Sequence, residues 1–156
     1  MGIAKAIFAL VVTTQLVAAY AAGGPASTDP CSQSRSSPEH SSLVGKASEG
    51  RIINFDQNGF RIAKNSMPVI SAHSEYLLAN ASVCVQLSGS TDEVGTREYN
   101  LALGLKRAES VKAALLQIGV PAEQIYTTSQ GSERPLADGH SRSARAKNRR
   151  VDIEYR

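Results

Sequence analysis

The chain has 156 residues, a formal net charge of +3, two cysteines and no tryptophan. That length holds one ordinary domain plus a leader or tail, and no more. The mildly basic balance, with a pI near 9.0, allows anionic partners without demanding them.

The N-terminus reads as a targeting segment. Met1 to Lys5 is a short basic region, "AIFALVVTTQLVAA" is apolar, and "AYAAGG" supplies small residues that fit cleavage after Ala21. Residues 1–21 are therefore expected to be a secretory signal peptide. The apolar run is about 15 residues, short of the roughly 20 that span a bilayer. An uncleaved anchor stays open as the alternative, and membrane association is expected only in that case. Cys31 follows "STDP", where a lipoprotein signal needs small or aliphatic residues, so lipidation is not expected. Residues 22–49 are rich in Ser, Pro and Gly with no helical or strand period, and read as a tether.

From residue 50 to 156 the pattern is globular. "RIINF" is β-branched and predicts a strand, and Ser66 stands as an N-cap candidate before Met67 and Pro68. Ile70, Ser74, Leu77 and Leu78 recur at helical spacing up to Asn80. "SVCVQLS" alternates, placing Val83, Val85 and Leu87 on one face and Cys84, Gln86 and Ser88 on the other. A long amphipathic helix follows through Leu101, Leu105, Ala108, Val111, Leu115 and Ile118, stopped by Gly119 and Pro121. "QIYTTS" predicts a third strand, "SARAKNRR" a short helix, and "RVDIEYR" a closing strand with Val151, Ile153 and Tyr155 inward. The order β-α-β-α-β-(α)-β implies an α+β, two-layer sandwich with helices on one face of a mixed sheet.

The stretch "SGSTDEVGTREYNLALGLKRAES" carries the polar chemistry. Gly89 and Gly95 are read as bracketing a loop that places Ser90, Thr91 and Asp92 beside a helix N-terminus, where unpaired N–H groups favour a carboxylate. Asn100 and Arg107, seven residues apart, share one helix face. Arg107 can grip a carboxylate in a fork, and Asp92 can receive an ammonium. An amino-acid head, with both groups on one carbon, would satisfy both. An ordinary Asp–Arg ion pair is the competing reading of the same residues.

That stretch, with "FDQNGF" before it and "SQGSERPLADGH" and "NRRVDIEY" after it, resembles the OmpA-like peptidoglycan-binding domain. Within that family it is most similar to the peptidoglycan-associated lipoproteins, over residues 51–156. The resemblance implies non-covalent binding of peptidoglycan through the diaminopimelate residue of its stem peptide. By position, Asp92 matches the aspartate that holds the ligand's ammonium, and Arg107 the arginine that holds its carboxylate. Thr91, Asn100 and Arg149 match flanking contacts, and Asp56 lies in the motif bordering the pocket. Ser90 departs from the family's usual His or Asn, and the lipobox is missing. Removing either charge, at Asp92 or Arg107, is expected to abolish cell-wall binding and leave the fold intact. The implied location is the periplasm or cell envelope, associated with the outer membrane. An envelope scaffold that holds only a protein partner is the alternative.

Other chemistries find no support in the sequence. His73 reads as a satisfied helix histidine, the three histidines lack metal-ligand spacing, and no hydrolase or phosphate-loop motif occurs. No enzyme activity, metal or cofactor is expected. The basic run "SRSARAKNRR" lacks interleaved aromatic residues, so nucleic acid is not expected as a partner. Arg145, Lys147 and Arg150 read as a solvated face. Export favours oxidised thiols, and Cys84 is expected to point away from the helices, to the open face of the sheet. A Cys31–Cys84 disulfide is therefore expected, with free thiols or intermolecular pairing as alternatives.

Overall fold

The first strand, β1 (Ile52–Asn54), is only three residues long, and it turns Ile53 inward next to the buried ring of Phe55. It belongs to a computed structural model that describes residues 50–156. The expected signal peptide, the tether and Cys31 lie outside the described residues.

Helix α1 (Met67–Ala79) starts with Pro68 in its first turn, where a missing N–H costs nothing. Ser66 stands at the N-cap position, yet its side chain makes no capping bond. A 3₁₀ turn over Lys64–Ser66 leads into the helix, giving Ser66 φ −88 and ψ −11 instead of the extended geometry a cap needs. Ile70, His73, Ser74 and Leu77 form the buried stripe of α1, whereas Leu78 is exposed.

Strand β2 (Val85–Ser90) runs into a loop, and α2 (Arg97–Ile118) follows with 22 residues. Thr96 caps α2 by accepting the Tyr99 backbone N–H at 3.2 Å. Gly119, at φ 107, closes it in the left-handed conformation that a helix end favours. Strand β3 (Ile125–Gly131), α3 (Arg142–Asn148) and β4 (Arg150–Tyr155) complete the order. Sequence and structure agree on every element, with β2 displaced two to three residues and β3 one to two residues towards the C-terminus.

The sheet order is β1-β4-β2-β3. β2 and β3 are parallel, joined by α2, and β4 is antiparallel to both β1 and β2. This is the expected mixed sheet in a two-layer α+β arrangement. Ile53, Val85, Leu87, Val151 and Ile153 meet Ile70 and Leu77 of α1 and Ala108, Val111 and Leu115 of α2 in one core. Burial at this scale supplies the main drive to fold.

Three expectations about side-chain placement change. Gly89 lies inside β2 and does not bracket the loop. A Cβ there would stand 1.9 Å from the carbonyl oxygen of Gly104, so this glycine lets the α2 backbone touch the strand. Cys84, expected on the open face of the sheet, is fully buried, and Ser88 of that face is buried as well. Its backbone extends the ladder, donating to the Arg156 carbonyl at 3.3 Å and accepting from the Arg156 N–H at 2.8 Å. Arg150 is buried as well. Alternation sets it on one face with Asp152, which accepts from its Nε at 2.9 Å, while Nη2 donates to the Arg134 carbonyl at 3.2 Å.

Among the described residues, no helix is long and apolar enough to cross a membrane.

Candidate functional site

The polar residues gather where β2 ends. Thr91 donates its N–H to the Gly131 carbonyl at 2.8 Å, which fixes the loop against the end of β3. Its hydroxyl donates to the Asp92 carbonyl at 3.0 Å. Oδ1 of Asp92 accepts the Val94 N–H at 3.3 Å, the local turn for which aspartate is suited. Gly95, at φ 108, then swings the chain into α2. The Asp92 carboxylate is thus aimed by its own loop and is buried.

Its partner is Arg149, 57 residues away. Nη1 of Arg149 meets Oδ2 of Asp92 at 3.0 Å, and Nε donates to the Phe55 carbonyl at 3.2 Å. The short helix α3 delivers this side chain, with Ser141 capping the helix by accepting the Ala144 N–H. Asn148, one residue earlier, accepts the N–H groups of Leu136 and Ala137 and donates to the Ala137 carbonyl. It ties the loop after β3 to the same corner. The motif "NRR" therefore contributes three different functions, a loop clamp, a carboxylate partner and a buried sheet arginine.

Arg107 behaves differently from the free arm that its spacing suggests. It is 0% exposed. Nε donates to the Gly59 carbonyl at 2.8 Å, Nη1 to Ser90 at 2.9 Å and Nη2 to Asp56 at 3.0 Å. The guanidinium carbon lies 5.4 Å from the centre of the Phe55 ring. Burial holds its pKa down at about 10, with Asp92 opposing that shift and Arg149 adding to it. It remains a cation at neutral pH. These three contacts use three of its five N–H donors, so it staples the loop after β1 to the end of β2 and still has donors to offer.

The other expected site residues take varied positions. Asn100 is buried two turns before Arg107, and its Oδ1 finds no protein partner. Ser90 is fully buried with an unpartnered Oγ and serves Arg107 through its carbonyl. Asp56 joins by its carbonyl, while its side chain is exposed. Gly59 and Phe55 were not singled out by the sequence. The Asn58-Gly59 turn signal was present, with Asn58 at φ 55.

Two hollows flank the Asp92–Arg149 pair. One, of about 520 Å³, is lined by Phe55, Asp56 and Arg149 along with β1 and the start of α1. The other, of about 140 Å³, lies between Thr91, Glu93, Asn148 and the loop near Gly139. Glu93 at its rim meets His140 Nδ1 at 2.9 Å and Arg145 Nε at 2.8 Å. Its own backbone N–H, then those two partners, draw its pKa down to about 2. Arg145 is thus paired and not simply solvated. His73 lies elsewhere, against the Tyr155 hydroxyl in the core, and burial lowers its pKa. Among the described residues, no group of three or more His, Cys, Asp or Glu is placed to hold a metal.

The fold and this corner define a small two-layer α+β domain with its buried charges collected at the loop after β2. The sequence pattern of the OmpA family matches residues 54–149, and the chain belongs to that family. A peptidoglycan-associated lipoprotein of Legionella pneumophila is 38% identical over 114 residues, covering 73% of this chain and 65% of the relative. One from Pasteurella multocida is 40% identical over 103 residues, covering 66% of this chain and 69% of the relative. The crystal structure of the peptidoglycan-associated lipoprotein from Burkholderia pseudomallei superposes with a TM-score of 0.70 at 37% identity. That match covers 72% of this chain and 96% of the other. The C-terminal domain of Helicobacter pylori MotB follows at 0.62 and 27%, covering 67% and 83%.

Proposed function

We propose that this domain binds peptidoglycan non-covalently through the diaminopimelate residue of the stem peptide, linking the cell wall to the Gram-negative envelope. The observation that carries the reading is the state of Arg107. It is a fully buried cation held by neutral carbonyls, and among the described residues no carboxylate lies within ion-pair distance of it. A buried charge with no carboxylate in contact is costly, so a ligand anion is the natural complement. Asp92 next to it offers the opposite charge. A head group with a carboxylate and an ammonium on one carbon answers both, the carboxylate to the spare N–H donors of Arg107 and the ammonium to Asp92.

The likeness to peptidoglycan-associated lipoproteins supports the peptidoglycan part of this reading and a place in the envelope associated with the outer membrane. Thr91, Asn100, Arg149 and Asp56 border the head group in this reading. The unpartnered Oδ1 of Asn100 is the polar atom best suited to add a contact.

Co-sedimentation of the domain with purified sacculi tests the proposal, using Asp92→Asn as the probe. Asparagine keeps the turn acceptor for the Val94 N–H and removes the charge. Loss of one partner of a buried charged contact costs about 2–5 kcal/mol, so the variant should remain folded and stay in the supernatant. Pelleting equal to the unaltered protein would remove Asp92 from the site.

A further inference from the structure

A third hollow, of about 150 Å³, opens beside the buried cluster and is not needed for the charged head group. Phe60 and Tyr99 wall it, Ala102 and Leu103 line its helix side, and Asn58 and Lys106 edge it. Both rings are open to solvent, each 47% exposed. Lys106 holds its ammonium 5.8 Å from the centre of the Phe60 ring.

Its position is set by the chain itself. Phe60 follows Gly59, whose carbonyl accepts from Arg107. Tyr99 precedes Asn100, and Lys106 precedes Arg107. Adjacent Cα atoms are about 3.8 Å apart, so each wall is one residue removed from a group of the site. The left-handed Asn58 makes the turn that brings Phe60 to α2.

We propose that this hollow is a saccharide subsite for a sugar ring of the glycan strand from which the bound stem peptide hangs. The inference rests on the peptidoglycan reading of the neighbouring site. A pyranose ring presents an apolar C–H face and a polar rim. The two aromatic rings match the face, and the Asn58 amide and Lys106 ammonium match the rim. A wholly apolar occupant would strip water from those two groups and return no hydrogen bond. Two aromatic rings exposed together around one hollow, beside the proposed site, offer apolar surface on which a sugar face can stack.

The test compares two ligands by calorimetry: a diaminopimelate-containing tripeptide alone, and the same tripeptide attached to its disaccharide. The unaltered protein should bind the attached form about tenfold more tightly, as two ring contacts would give. The double variant F60A/Y99A should bind the free tripeptide as before and lose that gain. Tyr99 supports the α2 cap only through its backbone N–H, which alanine retains. Lys106→Glu, on the exposed rim, should reduce the gain without touching either aromatic residue. Equal affinity of the unaltered protein for both ligands overturns the subsite and leaves the peptide site standing. A gain that survives in F60A/Y99A overturns it as well. Failure of the unaltered protein to bind either ligand overturns the peptidoglycan reading itself.

Discussion

Replacing Arg107 with alanine should unfold more than a binding site. The side chain makes three bonds to carbonyls of Asp56, Gly59 and Ser90, and so joins the loop after β1 to the end of β2. A bond from a charged donor contributes roughly 1.5–3 kcal/mol, so the three together are worth about 4–9 kcal/mol. The variant recovers several kcal/mol, since a cation no longer has to be buried. The remaining loss should be about 3–5 kcal/mol, in line with breaking other buried charged contacts. Urea denaturation followed by circular dichroism measures it. With about 1–3 kcal/mol lost per molar urea, the midpoint should fall by at least about 1 M. Arg107→Lys should lie between the two, because an ammonium cannot reproduce the fork. A midpoint for Arg107→Ala within about 0.3 M of the unaltered protein would refute the staple. The three bonds therefore argue against the expectation from sequence that this change spares the fold.

Gly89→Ala should cost about 3 kcal/mol or more, because its Cβ would meet the Gly104 backbone and neither strand nor helix can yield easily; thermal melting reads this directly. Buried His73 has a folded pKa below its ordinary 6.5. The stability tied to its neutral form is therefore fully present above pH 6.5 and is lost as pH falls through the folded value. Urea midpoints at pH 7.5 and 5 should differ, and His73→Gln should flatten that part of the slope. For the cysteines we expect a Cys31–Cys84 disulfide closing a loop worth roughly 4 kcal/mol. Mass spectrometry of unreduced digests of exported protein should show the linked peptides, and two free thiols would rule the pairing out.

The parts of this protein that were legible in sequence are those written in local periodicity. Alternation in "SVCVQLS" and the helical stripe ending at Leu115 and Gly119 follow from which side chains must leave water. The helix stop at Gly119 is chemistry of a single residue, whereas the caps at Thr96 and Ser141 were not singled out, and the one expected, Ser66, makes no capping bond. The parts that were not legible depend on distant backbone. No side-chain signature marks the carbonyls of Asp56, Gly59 and Ser90 as partners of Arg107, so the residue looked like a free ligand arm. Asp92 was expected to wait for a ligand ammonium, and its actual contact with Arg149 spans 57 residues. Gly89 looked like loop punctuation, since only the crossing of α2 over β2 reveals a backbone contact there. Arg150 sits in a basic run and reads as solvated until β4 is paired and its alternation sets the side chain beside Asp152.

The most direct measurement is calorimetric titration of the domain with matched muropeptides that differ only at the third stem residue. Lysine lacks the carboxylate at the end of the side chain, so Arg107 would face a ligand with no anion for its spare donors. The diaminopimelate form should bind at least about tenfold more tightly, equivalent to about 1.4 kcal/mol. Equal affinity for the two forms would contradict the site proposed here.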